Sequence, residues 1–139
     1  MKWILSKPLK NMDLVKDFEN KHQIVFPGKY LEVVKEYNNG RPRPNVFDSE
    51  ENKERVAKSL LSFDPDHQDN VWETYKVLYK QLPSDVFPFI IDQFGNYVCF
   101  FYDPLLEEPS IVFWNLEEQQ TEKVASSFED FLNQLYSID

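Results

Sequence analysis

Residues 86–115, VFPFIIDQFGNYVCFFYDPLLEEPSIVFWN, decide the fold of this chain. They contain three short apolar runs, which occupy residues 87–91, 97–102 and 111–114. Between the first two runs, Gly95 can adopt the positive φ that a tight hairpin turn requires. The pattern therefore predicts three antiparallel strands. Because the second and third strands are apolar on both faces, we expect the sheet to be covered on both sides there.

Two helices are predicted near the N-terminus. Apolar residues three or four positions apart predict one helix over residues 13–22 and another over residues 27–37. Pro27 suits the first turn of the second helix, where its missing N–H costs nothing. Residues 38–40, Asn-Asn-Gly, should end that helix, because Asn and Gly accept the left-handed backbone of a helix C-cap.

Two further helices and one more strand complete the predicted elements. The third helix spans residues 70–82, and Glu73 is placed for a capping box at its start. A last helix begins at residues 126–127. Residues 56–63 could form a strand or a short helix, of which we favour the strand, and residues 45–55 are predicted to be a polar surface loop. Helices followed by an antiparallel meander and a final helix indicate an α+β fold.

Length and charge restrict the classes of partner. The chain has 139 residues, which predicts a single domain spanning residues 1–139. Its 24 acidic and 15 basic residues give a net charge of −9, and residues 101–139 hold Lys123 as their one cation. Such a charge disfavours nucleic-acid backbones and anionic membranes as partners. A basic protein partner is the better electrostatic expectation.

The cysteine content and the N-terminal sequence bear on the compartment. Cys99 is the one cysteine, so an intrachain disulfide is impossible and a CxxC motif is absent. A reducing, cytoplasmic compartment fits this best. The apolar run at residues 3–5 is too short for a signal peptide, and no apolar stretch is long enough to predict a transmembrane helix.

The residues bear on three kinds of chemistry: metal binding, thiol chemistry and catalysis by carboxylates. The oxygen-rich residues 64–70 superficially resemble a calcium loop, but they lack the required Gly and bidentate Glu, so a turn with a helix N-cap is the better interpretation. Cys99 has no local cation to activate it and is predicted to be a buried structural thiol. Exposed doublets of acids at residues 107–108 and 117–118 show no pattern that would raise a pKa by burial. We therefore predict no catalytic residue, no metal site and no cofactor.

The ordered landmarks resemble a known family. Residues 26–31, FPGKYL, and 36–42, EYNNGRP, are similar to the L-P-x-x-Y … N-G-G opening of the SUKH superfamily, the Smi/Knr type. Residues 82–102, residues 109–114 and the closing ASSFEDFL at 125–132 resemble the later parts of the same pattern. The resemblance covers nearly the whole chain, with Phe in place of the usual Leu at the first position and Asn in place of the first Gly of the Gly-Gly pair.

The resemblance implies both a fold and a function. The implied fold is a mixed, largely antiparallel sheet flanked by about four helices. Bacterial SUKH proteins are commonly immunity proteins that neutralise a toxin, often a nuclease, whereas fungal relatives are regulators and scaffolds of cell-wall synthesis. They are not known as enzymes, and the family has no catalytic motif to transfer to this sequence.

Two classes of function follow from these observations. The first is a cytoplasmic immunity protein that covers a basic toxin surface, through acids near the C-terminal end of the chain: Asp103, Glu107, Glu108, Glu117, Glu118 and Glu122. A scaffold or regulator of the Smi/Knr type is the alternative within the family. The second class is a small hydrolase with an acidic pocket. A deep pocket with buried, converging carboxylates favours the enzyme, whereas a shallow acidic face favours the inhibitor. The sequence leaves the oligomeric state open.

Overall fold

A computed structural model describes residues 1–138, in which four helices and eight strands occur. In chain order they are β1 (Lys2–Ile4), α1 (Asp13–His22), α2 (Gly28–Tyr37), β2 (Arg41–Arg43), β3 (Val46–Phe47), β4 (Arg55–Leu60), α3 (Val71–Leu78), β5 (Val86–Asp92), β6 (Tyr97–Phe101), β7 (Ser110–Asn115), β8 (Gln120–Ala125) and α4 (Phe128–Gln134). This is an α+β fold.

Six of the strands form one antiparallel sheet in the order β3-β4-β5-β6-β7-β8, so each strand pairs with its neighbours along the chain. β1 and β2 form a separate antiparallel pair. The one parallel pairing within residues 1–138 is an isolated bridge between Ser62 and Asn70. The implied α+β fold, with a largely antiparallel sheet and flanking helices, is confirmed. The sheet is not mixed, because its named strands pair in antiparallel fashion throughout the described chain.

The three strands predicted from residues 86–115 are confirmed as β5, β6 and β7. Gly95 has a φ of +82° in the turn between β5 and β6, as the hairpin requires. The strand preferred for residues 56–63 is also confirmed, as β4. Four strands were not predicted. β1 and β2 form the separate pair, β8 follows β7 in a second hairpin, and β3, Val46–Phe47, lies buried within the segment predicted to be a polar loop. β3 has only two residues, which are too few to show the alternation of apolar and polar side chains that predicts a strand.

The helices lie close to their predicted positions. α1 has the predicted bounds, and α3 begins after Asn70, whose side chain accepts a hydrogen bond from the Glu73 amide. Similarly, the Ser127 side chain accepts one from the Asp130 amide at the start of α4. α3 ends at Leu78 rather than Leu82, because the chain continues there as tight turns instead of a regular helix.

The segment after α2 differs in detail from the predicted C-cap. Asn39 adopts the left-handed conformation, with a φ of +64°, whereas the C-cap residue Asn38 does not. Gly40 has another role. A Cβ atom at that position would lie 2.7 Å from the Tyr37 carbonyl oxygen and 3.2–3.3 Å from the Cβ atoms of Ser6 and Trp3. Glycine is therefore required at position 40 because neighbouring segments pack closely against it, and not because of a positive φ.

Both faces of the central strands are covered, as their composition predicted. One face carries an aromatic cluster in which the Phe89 and Phe100 rings stack with centroids 4.1 Å apart. Helices α1, α2 and α4 contribute buried side chains to this core. On the other face, Cys99 and Trp114 pack with residues of the α3 region, including Leu78. The sheet is thereby packed on both faces, and the loops at its ends connect its strands.

Candidate functional site

A groove of 1420 Å³ lies at the end of the sheet where β6 ends and β7 begins. Its walls are the loop of residues 103–109 and the first turn of α4. Val86, Phe101 and Val112 contribute apolar surface to its floor. The meander topology produces this arrangement, because the β6–β7 loop and the end of β8, which leads into α4, fall at the same end of neighbouring strands.

Acidic side chains surround the groove. Six line it, and they come from three separate parts of the chain: Glu50, Asp103, Glu107, Glu108, Glu129 and Asp130. Lys123 is the one basic residue among the lining residues. Within the described part of the chain, none of the six acids forms an ion pair with a Lys, Arg or His. The groove therefore has a net negative charge, and none of its acids is directly paired within the described chain.

The loop of residues 103–109 is ordered by its own hydrogen bonds. Asp103 Oδ1 accepts a hydrogen bond from the Leu105 amide at 2.9 Å, and the Asp103 carbonyl oxygen accepts one from the Leu106 amide at 3.0 Å. This turn leaves 89% of Leu105 and 53% of Leu106 exposed. Two adjacent leucines at such exposure are unusual on a monomer surface, and apolar patches with polar rims are typical of interaction sites.

The six acids predicted from sequence fall into three locations. Asp103, Glu107 and Glu108 lie together in the groove. Glu117 and Glu118 occupy the turn between β7 and β8, at the opposite end of those strands. A six-residue strand places the two ends about 17 Å apart. The two acidic doublets therefore do not form one surface.

Glu122 lies in a third location and is only 8% exposed. Its Oε2 is 2.9 Å from Arg55 Nη2, and its Oε1 accepts hydrogen bonds from the Ser49 hydroxyl at 2.8 Å and the Glu51 amide at 3.0 Å. These contacts attach residues 49–55 to β8. Glu122 therefore has a structural role, and we leave it out of the candidate binding surface.

The environment of Glu122 also changes its acidity. Burial by itself raises the pKa of this carboxyl. The hydrogen bonds from Ser49, the Glu51 amide and Asn52, together with the positive charge of Arg55, outweigh that effect, so the pKa of Glu122 lies below its ordinary value. The carboxylate is thus held in its charged form in the folded protein.

Cys99 is fully buried on β6. Burial raises the pKa of its thiol well above the ordinary value, because the thiolate would lose its hydration. The prediction of a structural thiol is confirmed in this respect, since a reactive cysteine requires a stabilised thiolate.

Residues 64–70 form the predicted turn and helix cap. Asp64 Oδ1 accepts a hydrogen bond from the Asp66 amide at 2.9 Å, and Asn70 Oδ1 accepts one from the Glu73 amide at 2.8 Å. These side-chain oxygens thus accept hydrogen bonds from nearby backbone amides. Over residues 1–138, no three His, Cys, Asp or Glu side chains are grouped so that they could hold a metal ion.

Three of the acids that line the groove were not among the binding residues predicted from the sequence. Glu129 and Asp130 fall within the predicted last helix, and Glu50 falls within the predicted polar loop of residues 45–55. Glu50 reaches the groove because its amide donates a hydrogen bond to the Lys123 carbonyl oxygen at 2.9 Å. The sequence did carry one further signal, the pair Leu105-Leu106 within an acidic loop.

No helix within residues 1–138 is long and apolar enough to span a membrane. Comparison with protein families matches residues 12–132 to the family described as SMI1-KNR4 cell-wall (SUKH_6). The matched region includes the loop of residues 103–109 and the first turn of α4, and hence both walls of the groove. A search of curated proteins finds no match to this chain.

Proposed function

The chain belongs to the SUKH_6 (SMI1-KNR4 cell-wall) family, and from that membership we propose that it is a non-enzymatic binding protein of the immunity type. It neutralises a toxin by covering a basic surface of that toxin, and the contact lies at the acidic groove. Of the six acids predicted to bind a partner, Asp103, Glu107 and Glu108 carry this role. Glu117 and Glu118 lie outside the contact.

One observation carries the proposal: six acids surround the groove and none of them is ion-paired within the described chain. Nucleases need cationic surfaces to hold phosphates. A negatively charged protein binds such a surface with fast, steered association and thereby excludes the substrate. The groove is open, and its acids are exposed except for the half-buried Asp103. This arrangement supports an inhibitor more than a hydrolase that relies on a carboxyl group whose pKa is raised by burial.

The proposed compartment is the cytoplasm. The single cysteine is a free, buried thiol, and the fold uses no disulfide. A toxin that attacks nucleic acid would also be met there. A scaffold or regulator of the Smi/Knr type is the second candidate, supported by the family match, and it would use the same groove for a protein that is not a toxin.

The test uses the protein encoded by the gene beside this one, produced as an inactive variant, and measures binding kinetics at about 50 and about 500 mM salt. Glu107→Lys combined with Glu108→Lys should slow association at least about tenfold at low salt, because steering contributes about 10- to 1,000-fold to association rates. High salt should reduce the difference, since the Debye length becomes shorter than about 5 Å.

The matched control is Glu117→Lys combined with Glu118→Lys, which makes the same change in net charge at the other end of β7 and β8. It should slow association by less than about threefold. Equal effects of the two pairs would show that only net charge matters and would remove the groove from the proposal. If the neighbouring protein binds tightly but is not toxic to cells lacking this chain, the regulator is the better assignment.

A further inference from the structure

The groove combines apolar and acidic surface in a way that constrains what fits it. Leu105 and Leu106 form an exposed apolar wall, and Val112 and Phe101 contribute to an apolar floor. A partner recognised by charge alone would leave the two leucines in contact with water. Apolar side chains of the partner can instead bury them, which provides most of the favourable free energy in stable interfaces.

Acids lie on more than one side of this apolar surface. Glu107 and Glu108 follow the two leucines on one wall, while Glu129 and Asp130 lie on α4 at the other. A segment in the groove therefore meets negative charge on both of its flanks. The complementary partner has large apolar side chains on one face and Lys or Arg on both sides of that face.

The edge of β8 restricts the backbone conformation of such a segment. Partners in an extended conformation commonly add a strand to an open sheet edge. Beside this groove, the Lys123 carbonyl oxygen already accepts a hydrogen bond from the Glu50 amide at 2.9 Å, and residues 49–55 are attached to β8 by Glu122. Strand addition is blocked there, so a helix that binds through its side chains fits better.

The size of the groove agrees with a short helix. A helix of about ten residues is about 15 Å long and about 10 Å across, a cylinder of about 1,200 Å³. The groove has a volume of 1420 Å³. The volume of the groove therefore permits a helix of about two to three turns.

We propose that the groove binds an amphipathic, basic α-helix of its protein partner, with apolar side chains against Leu105, Leu106 and the sheet, and with Lys or Arg side chains against the acids of both walls. This inference rests on the proposed function, because it specifies which part of the basic partner enters the groove. Asp103 is a positioning residue for this contact, since its carboxylate and carbonyl oxygens fix the turn that presents both leucines.

The test needs no natural partner. The probe is a fluorescein-labelled peptide of 14 residues, with Leu at the spacing of one helical face and Lys or Arg on both flanks, and binding is measured by fluorescence anisotropy. One control peptide has Ser in place of each Leu, and a second has the same composition with Leu distributed around the helix. We expect micromolar binding of the amphipathic peptide and at least about tenfold weaker binding of both controls.

Variants of the protein locate the site. Leu105→Ser combined with Leu106→Ser should weaken binding of the amphipathic peptide at least about tenfold, whereas Val77→Ser combined with Phe94→Ser should change it less than about twofold. Val77 and Phe94 are 70% and 78% exposed and lie outside the groove, so they match the leucines in exposure. Asp103→Asn keeps the oxygen that accepts from the Leu105 amide and should bind more tightly than Asp103→Ala.

The outcomes separate this inference from the proposed function. If the amphipathic peptide fails to bind at about 1 mM, or binds no better than its Ser control, the basic helix is excluded as the occupant. The immunity proposal still stands in that case if Glu107→Lys and Glu108→Lys slow association with the neighbouring protein. Conversely, if the peptide binds as expected while the neighbouring protein does not bind, the immunity proposal fails and the specificity of the groove is established independently.

Discussion

Arg55 on β4 and Glu122 on β8 form an ion pair with their Nη2 and Oε2 atoms 2.9 Å apart, although three strands lie between them in the sheet. In a flat sheet the two strands would lie about 19 Å apart. The sheet is therefore strongly curved, and the pair joins its two sides. The Arg55 guanidinium also stacks on the Phe113 ring, 3.8 Å from its centre. This geometry places Glu50 beside β8 and so completes the acidic groove.

Glu122→Gln should destabilise the fold by about 2–3 kcal/mol, because a largely buried guanidinium loses the charge of its partner. Urea unfolding followed by circular dichroism measures the change. Glu118→Gln removes the same charge from an exposed turn and should shift the free energy of unfolding by less than about 0.5 kcal/mol. Similar values for the two variants would contradict the structural role of the Arg55–Glu122 pair.

The same carboxyl should make stability depend on pH. Its pKa is lower in the folded protein than the ordinary value of 4.5. Its contribution is therefore fully present above about pH 4.5 and is lost as the pH falls through the lower, folded-state pKa. The difference in unfolding free energy between the natural protein and Glu122→Gln should shrink from about pH 6 to about pH 3. A difference that stays constant over this range would show that Glu122 keeps its ordinary acidity.

Gly40→Ala should destabilise the protein by about 1–3 kcal/mol, because the new Cβ would lie 2.7 Å from the Tyr37 carbonyl oxygen and the backbone would have to move. Gly28→Ala is the matched control, since no atom lies within 4 Å of the Cβ added at this first residue of α2. It should be neutral or stabilising by up to about 1 kcal/mol. Thermal unfolding of both variants gives the comparison.

Cys99 should react slowly with thiol reagents in the native protein. It is fully buried and burial raises its pKa, so both access and thiolate formation are suppressed. Labelling with an aromatic disulfide should be limited by the small fraction of molecules in which β6 is open to solvent, and should become rapid in denaturant. Fast native labelling, at the rate of a free thiol in solution, would show that β6 is accessible.

Local patterns in the sequence were sufficient for much of the secondary structure. The apolar runs of residues 86–115 and the turn at Gly95 predicted β5, β6 and β7, because strand and turn preferences act over a few residues. The caps at Asn70 and Ser127 were predicted for the same reason. β8 was missed because its sequence, QTEKVA, is polar over most of its length and shows no strand pattern.

The candidate site was likewise predictable from the sequence only in part. Clustering of acids at the C-terminal end was visible in the sequence, and it correctly brought Asp103, Glu107 and Glu108 together. It could not separate them from Glu117 and Glu118, which lie only about ten residues further along the chain but at the other end of a strand. The residues at the two ends of a six-residue strand lie about 17 Å apart, and the composition of the sequence does not show that separation.

By itself, the sequence determined the α+β class, the central meander and the net charge that favours a basic partner, because each follows from local periodicity or from composition. Only the tertiary structure decided that Glu122 is a buried structural residue and that Glu50 and α4 complete a groove opposite Leu105 and Leu106. The physical reason is that these relationships depend on the curvature of the sheet. That curvature brings together residues as distant as Arg55 and Glu122, which are 67 positions apart in the chain.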